Sequence, residues 1–154
     1  MTPSTTPRQL RLIIETDDFD EALRFYRDVL GMPEQAAFAT DGDDRVAILH
    51  AGVATIELAT SAHVNSIDEI EGMPPSAAPS LRIALEVADT AAAVSRVAAE
   101  DVTVLAPPTR TPFRSLNARV QGPAGWQVTF FQELEPLEQR RTRPGFLTDD
   151  ERDR

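Results

Sequence analysis

Arg11 and Arg82 are the residues whose type and spacing say most about chemistry. Each opens one copy of a near-repeat: RLIIETDDFDEALRFYRDVLG from Arg11 and RIALEVADTAAAVSRVAAEDV from Arg82, about 71 residues further on. Glu15 matches Glu86, and Asp18 matches Asp89. A repeat of this period means two copies of one supersecondary unit, hence an internal pseudo-twofold. Symmetric positions in two such units can face one cavity. Two guanidinium groups in a cavity suit a ligand carboxylate, enolate or phosphate.

The other reactive residue types are few. The chain has no cysteine, which excludes disulfides, thiolate nucleophiles and sulfur-bound metals. All fifteen Lys+Arg residues are arginine, so Schiff-base chemistry and a phosphate-loop lysine are excluded too. His50 and His63 are the only histidines, and their unrelated positions read as surface. A net charge of −10 argues against nucleic acid or an anionic membrane as partner. No apolar run approaches the ~20 residues of a membrane span. MTPSTTPRQL has no apolar signal core, so the expected location is the cytoplasm.

The elements that must position the arginines are short. Leu10–Thr16 reads as a strand with Arg11, Ile13 and Glu15 on one face. Asp18 and Glu21 make a capping-box-like start to a helix. Its apolar stripe is Ala22, Leu23, Phe25, Tyr26, Val29 and Leu30, and Gly31 and Pro33 end it. Strands are expected over Glu34–Thr40, Arg45–His50 and Val53–Ala59. Thr60–Ser80 reads as a linker with at most a helical turn around Ser66–Ile70. The second unit repeats the order: strand Leu81–Val87, helix Asp89–Glu100, then strands near Val102–Ala106, Ser115–Gln121 and Trp126–Gln132. Pro107, Pro108 and Pro112 mark a loop carrying Arg110, Phe113 and Arg114. Gly122-Pro123-Ala124-Gly125 makes the last hairpin turn. The expected division is a first βαβββ module over 8–60, a linker over 61–80, a second module over 81–133, and a charged surface tail over 134–154, partly disordered.

DDFDEALRFYRDVLGMPE, with FY…LG after an acidic cap, resembles the vicinal oxygen chelate superfamily of glyoxalase I, bleomycin-resistance proteins and extradiol dioxygenases. ATIEL at Ala54–Leu58 and GPAGWQVTFF at Gly122–Phe131 resemble its fourth and eighth strands. The likeness covers about residues 8–133. It implies an α+β fold in which two βαβββ modules curl a mixed β-sheet into a cup, in a homodimer. The resemblance also implies a metal site, with ligands on the first and last strand of each module. Those positions fall at Arg11, Glu57, Arg82 and Thr129. Only Glu57 is a metal-ligand type, since arginine has no lone pair to donate and stays cationic. No metal and no cofactor is therefore expected.

Two roles are open for this locus. Arg11, Glu57 and Arg82 form a purely structural ion network, or they bind a ligand with the positive charge that two arginines leave over one carboxylate. Arg11, Arg82, Glu57, Thr129, Gln127, Trp126 and Phe113 are the expected ligand-binding residues. Phe38, Phe130 and Phe131 are further candidates for the cup wall, and Arg110 and Arg114 for its mouth. Tyr26 is read as packing. The leading expectation is a metal-independent small-molecule binding protein whose cup takes an acidic or aromatic metabolite or antibiotic. The alternative is an enzyme of the same superfamily, with Glu57 as general base or as ligand of an altered metal site.

Overall fold

A computed structural model describes residues 4–29, 31–75, 80–122 and 127–152. Eight strands form one sheet in the order β2-β4-β5-β1-β6-β9-β8-β7. These are β1 (Gln9–Glu15), β2 (Glu34–Gln35), β4 (Val46–Ala51), β5 (Ala54–Ala59), β6 (Leu81–Glu86), β7 (Val104–Arg110), β8 (Ser115–Gln121) and β9 (Gln127–Glu133). β3 (Ala37–Phe38) stands apart and pairs with β10 (Phe146–Leu147). The pseudo-twofold lies between the antiparallel central strands β1 and β6. On each side of it the first strand of a module pairs in parallel with the last: β1 with β5, and β6 with β9.

The same sequence signals start both crossover helices. Asp18 accepts from the Glu21 amide at 3.1 Å to cap α1 (Phe19–Leu23), which runs on as a π-helical turn over Arg24–Val29. Asp89 accepts from the Ala92 amide at 2.9 Å to cap α3 (Thr90–Ala98). Both carboxylates satisfy an otherwise orphaned helix donor. Each helix covers the outer face of its own half. Phe19 and Leu23 pack on Ala47, Leu49 and Leu58, with Tyr26 against that cluster as expected. Ala93 and Val94 pack on Val87, Ala118, Val120 and Phe130. Apolar residues on alternate strand positions thus face the helices, which leaves the intervening residues to line the inner face.

Four expectations are corrected. The linker contains an eleven-residue helix, α2 (Ser61–Glu71), rather than one turn. Thr60 caps it by accepting from the His63 amide at 3.3 Å, and Gly72 ends it at φ +79°. The single strand expected over Glu34–Thr40 is two short pieces in different sheets. β7 runs through Pro107 and Pro108, which had read as loop. It is the edge strand, where a missing amide leaves no ladder bond unmade, and its register shifts there. The charged tail folds, forming α4 (Leu137–Arg140), β10 and a 3₁₀ turn at Asp149–Glu151. Phe146 supplies the reason, for it is buried against Phe38. Among the described residues no helix is long and apolar enough to cross a membrane.

Candidate functional site

Strand alternation and register fix which side chains meet on the inner face. Glu57 lies opposite Ile13, and Thr129 lies opposite Ala84. Ile13 and Ala84 each follow their arginine by two positions. Arg11, Glu57, Arg82 and Thr129 therefore occupy symmetric places, and all four line one cavity. It encloses about 80 Å³ open to the centres of water molecules.

The two arginines have different partners. Arg11 donates from Nε to Thr55 Oγ1 at 3.0 Å, and its guanidinium carbon lies 4.8 Å from the centre of the Phe131 ring. Its Nη1 sits 3.7 Å from Glu57 Oε2, close enough for an ion pair and too far for a hydrogen bond. Arg82 does not pair with Glu57. Its Nη1 lies 3.3 Å from Asp68 Oδ1, on α2. The triad expected from Arg11, Glu57 and Arg82 is thus one pair plus a separate network.

That network extends through the second module. Arg119 of β8 is 2% exposed and reaches Asp68 at 2.9 Å and Glu71 at 2.6 Å. Glu71 Oε1 accepts from Asn117 Nδ2 at 3.2 Å, and Asn117 Oδ1 accepts from Ser115 Oγ at 2.7 Å. α2 thereby lays two carboxylates onto the second module's arginines. Burial, then the neighbouring charge of Arg119, pulls the Arg82 pKa below the ordinary guanidinium value.

His63 also comes from α2, and it is buried rather than on the surface. Its Nδ1 meets Asp44 Oδ1, and its Nε2 lies 3.8 Å from Glu57 Oε1. Burial pushes the Asp44 carboxyl up, but the His63 hydrogen bond and the Thr40 amide bring it down to about 2. Glu57 is consequently bracketed by Arg11 on one oxygen and His63 on the other. Neither reaches hydrogen-bond distance, and no other described residue bonds this carboxylate.

Charge on the lining balances. Arg11, Arg82 and Arg140 face Glu57, Glu71 and Glu133, so the surplus of positive charge expected here is absent. Phe113 and Phe131 line the cavity, as do Phe38 and Phe146. Phe130 belongs to the core under α3 instead. Gln127 shares the inner face but lies outside the cavity, 3.4 Å from Arg119 Nη1. Arg110 and Arg114 do not line it, and Arg114 pairs with Glu135 at 3.2 Å. Trp126 lies outside the described residues, as do Pro123, Ala124 and Gly125 of the expected turn.

Sequence reasoning missed His63, Asp68 and Glu71. One signal was available: His63, Ile67 and Glu71 recur every four residues after a threonine cap, a helical face rather than a linker.

A metal does not fit the symmetric positions. Two guanidinium groups and a hydroxyl offer no set of lone-pair donors, and the cations repel a divalent ion. Among the described residues no three His, Asp or Glu side chains are placed to hold one.

Comparison with known proteins agrees with this architecture. The family model described as Glyoxalase/Bleomycin resistance protein/Dioxygenase superfamily matches residues 8–130. No curated protein matches significantly. Similar solved structures include a methylmalonyl-CoA epimerase, with a TM-score of 0.62 at 12% identity, covering 86% of this chain and 99% of that one. A hypothetical protein from Bacillus halodurans C-125 gives 0.60 at 17% identity, covering 86% and 97%. A triple mutant of 4-hydroxymandelate synthase from Streptomyces coelicolor gives 0.59 at 21% identity, covering 88% of this chain and 40% of that one. Their identities are low, so these likenesses establish the fold alone. With its paired βαβββ halves, its inward-facing symmetric positions and a family match over residues 8–130, the chain belongs to the Glyoxalase/Bleomycin resistance protein/Dioxygenase superfamily.

Proposed function

We propose that this protein is a metal-independent small-molecule binding protein whose cup takes a ligand with one polar head and an apolar body. The carrying observation is Glu57. A buried carboxylate normally accepts hydrogen bonds, and leaving it without them costs more than for a neutral group. Glu57 is 6% exposed and opens on the cavity, and Arg11 and His63 stand off its oxygens at 3.7 and 3.8 Å. A ligand N–H or O–H donating to Glu57, with its own oxygen accepting from Arg11, completes this centre. The balanced lining favours a neutral head over the acidic one that two arginines alone would suggest. Ala84, Ile48, Ile67 and Phe131 offer the apolar body its surface. Arg11, Thr129 and Phe113 remain assigned to the ligand in this reading, Arg82 lines the cavity while holding α2, and no cofactor is required.

A thermal-shift screen of neutral amides and hydroxy compounds tests this. A ligand at a hundred times its Kd adds about 2.7 kcal/mol, roughly 5–10 °C for a chain of this size. Glu57→Leu is expected to weaken the ligand found at least tenfold. Equal affinity in that variant would refute the site.

One observation favours a second reading, in which Glu57 is a general base. His63, held by Asp44 through Nδ1, faces the same carboxylate with Nε2 at 3.8 Å, so two groups that exchange protons flank one point in the cavity. Turnover of the bound ligand by the parent and not by Glu57→Gln would support it; ligand that stays unchanged for hours at saturating protein would exclude it.

A further inference from the structure

The family match ends at residue 130, but the cavity does not. Arg140 and Phe146, both from the C-terminal segment, line it, and both are buried. Arg140 pairs with Glu133 at 2.9 Å. Phe146 meets Phe38, with ring centres 5.6 Å apart and planes at 57°. Phe38 in turn meets Phe113 at 6.1 Å and 47°. Tilted contacts at these distances are favourable for aromatic pairs. They leave a wall of ring faces and edges beside the space, a surface that matches a flat π-system better than a puckered ring.

The segment is built to stay there. β10 pairs with β3 in the register Phe146↔Phe38 and Leu147↔Ala37. The Arg152 guanidinium donates to the carbonyls of Ala39 at 3.2 Å, Gly145 at 3.3 Å and Leu147 at 3.0 Å, clasping both strands. The Asp149 amide donates to Glu34 Oε1 at 2.6 Å. Gly145 has φ +88°, and a Cβ there would lie 2.8 Å from the Phe38 ring, so the close approach of tail and ring needs glycine. A segment serving only as a polar surface tail has no use for such a fit.

From this we infer that residues 137–152 are part of the ligand site, and that Phe146, Phe38 and Phe113 form a subsite for a planar aromatic group of one or two rings. This rests on the binding reading above and names its ligand class: a neutral aromatic compound carrying a donor–acceptor head such as a carboxamide.

Isothermal titration of the full chain with 2-naphthamide and with its decahydro analogue tests the inference. The two share the head and differ in planarity. The aromatic amide is expected to bind at least tenfold more tightly. Phe146→Leu, which keeps an apolar side chain, is expected to shrink that ratio to threefold or less. Arg152→Gln, which releases the clasp without touching the cavity, is expected to weaken the aromatic amide alone. Equal affinity of the two amides for the parent overturns the aromatic subsite and leaves the cup as a binding site. A tenfold ratio that persists in Phe146→Leu overturns the role of the tail. Binding of neither amide overturns the inference and the binding reading together.

Discussion

Replacing Thr129 by valine should stabilise the protein. Thr129 is 4% exposed, and its Oγ1 is buried with no hydrogen-bond partner among the described residues. An unsatisfied buried hydroxyl costs about 1–3 kcal/mol relative to one that is bonded. Valine has nearly the same shape, exchanges that oxygen for a methyl, and is at least as good a strand former as threonine. The neighbours across β6 and β8 are Ala84 and Arg119, and neither loses a bond when the hydroxyl goes. The expected gain is about 1–2 kcal/mol, which for a chain of this size raises Tm by roughly 2–8 °C. Thr129→Ser is the control, since it keeps the oxygen and loses the methyl; it should cost about 1 kcal/mol. Urea titration of both variants reads the result, with unchanged slope showing that only stability moved. A midpoint that falls in Thr129→Val would show that the hydroxyl is bonded in the folded state, and the reasoning would fail.

Three further outcomes are expected. Arg119→Met leaves the buried Asp68 and Glu71 charges without their shortest partner and should cost about 3–5 kcal/mol in urea unfolding, with at least half returned when Glu71→Gln is added; no recovery would mean the two do not act as a pair. The Asp44 pKa is depressed to about 2 from 3.8, so its stabilisation is fully present above pH ~4 and is lost as pH falls through ~2. Stability measured between pH 4 and pH 2 should therefore fall about 2 kcal/mol less in Asp44→Asn than in the parent, and parallel curves would contradict the assignment. Treatment with EDTA should leave Tm unchanged, because Arg11 and Arg82 stand where metal donors would be needed; a fall of more than about 5 °C with release of a transition metal would refute that.

The sheet was legible because its signals are periodic and repeated. Asp18 and Asp89 cap equivalent helices, and Arg11 and Arg82 face inward from equivalent strands, as spacing alone required. The site was only half legible. Alternation places Glu57 and Phe131 on the inner face, but nothing local tells that His63, Asp68 and Glu71 will fold back over it. Polar residues between two modules look like a solvated linker until their cationic partners, some fifty positions away, are known. The tail misled for a similar reason. Its acidic and basic residues suggest solvent, yet Arg45 takes Asp149 and Arg143 takes Glu135, and these pairings let one phenylalanine carry the segment inward.

The placement of α2 also explains how two symmetric arginines came to unequal roles. Each sits in the same register within its module, and symmetry alone would give each a carboxylate at the equivalent last-strand position. Only the first module has one, Glu57; the second has Thr129. A buried guanidinium opposite a hydroxyl is an uncompensated charge, which burial makes expensive. α2 removes that cost by bringing Asp68 to both Arg82 and Arg119. Arg82 is thereby committed to holding the linker helix on the second module. Arg11 is instead loosely paired with Glu57 at 3.7 Å and stacked on Phe131. The loss of symmetry at one strand position thus divides the cup. In its second half the arginines are paired with carboxylates from α2, and in its first half Glu57, Arg11 and His63 stand around one point without a hydrogen bond among them.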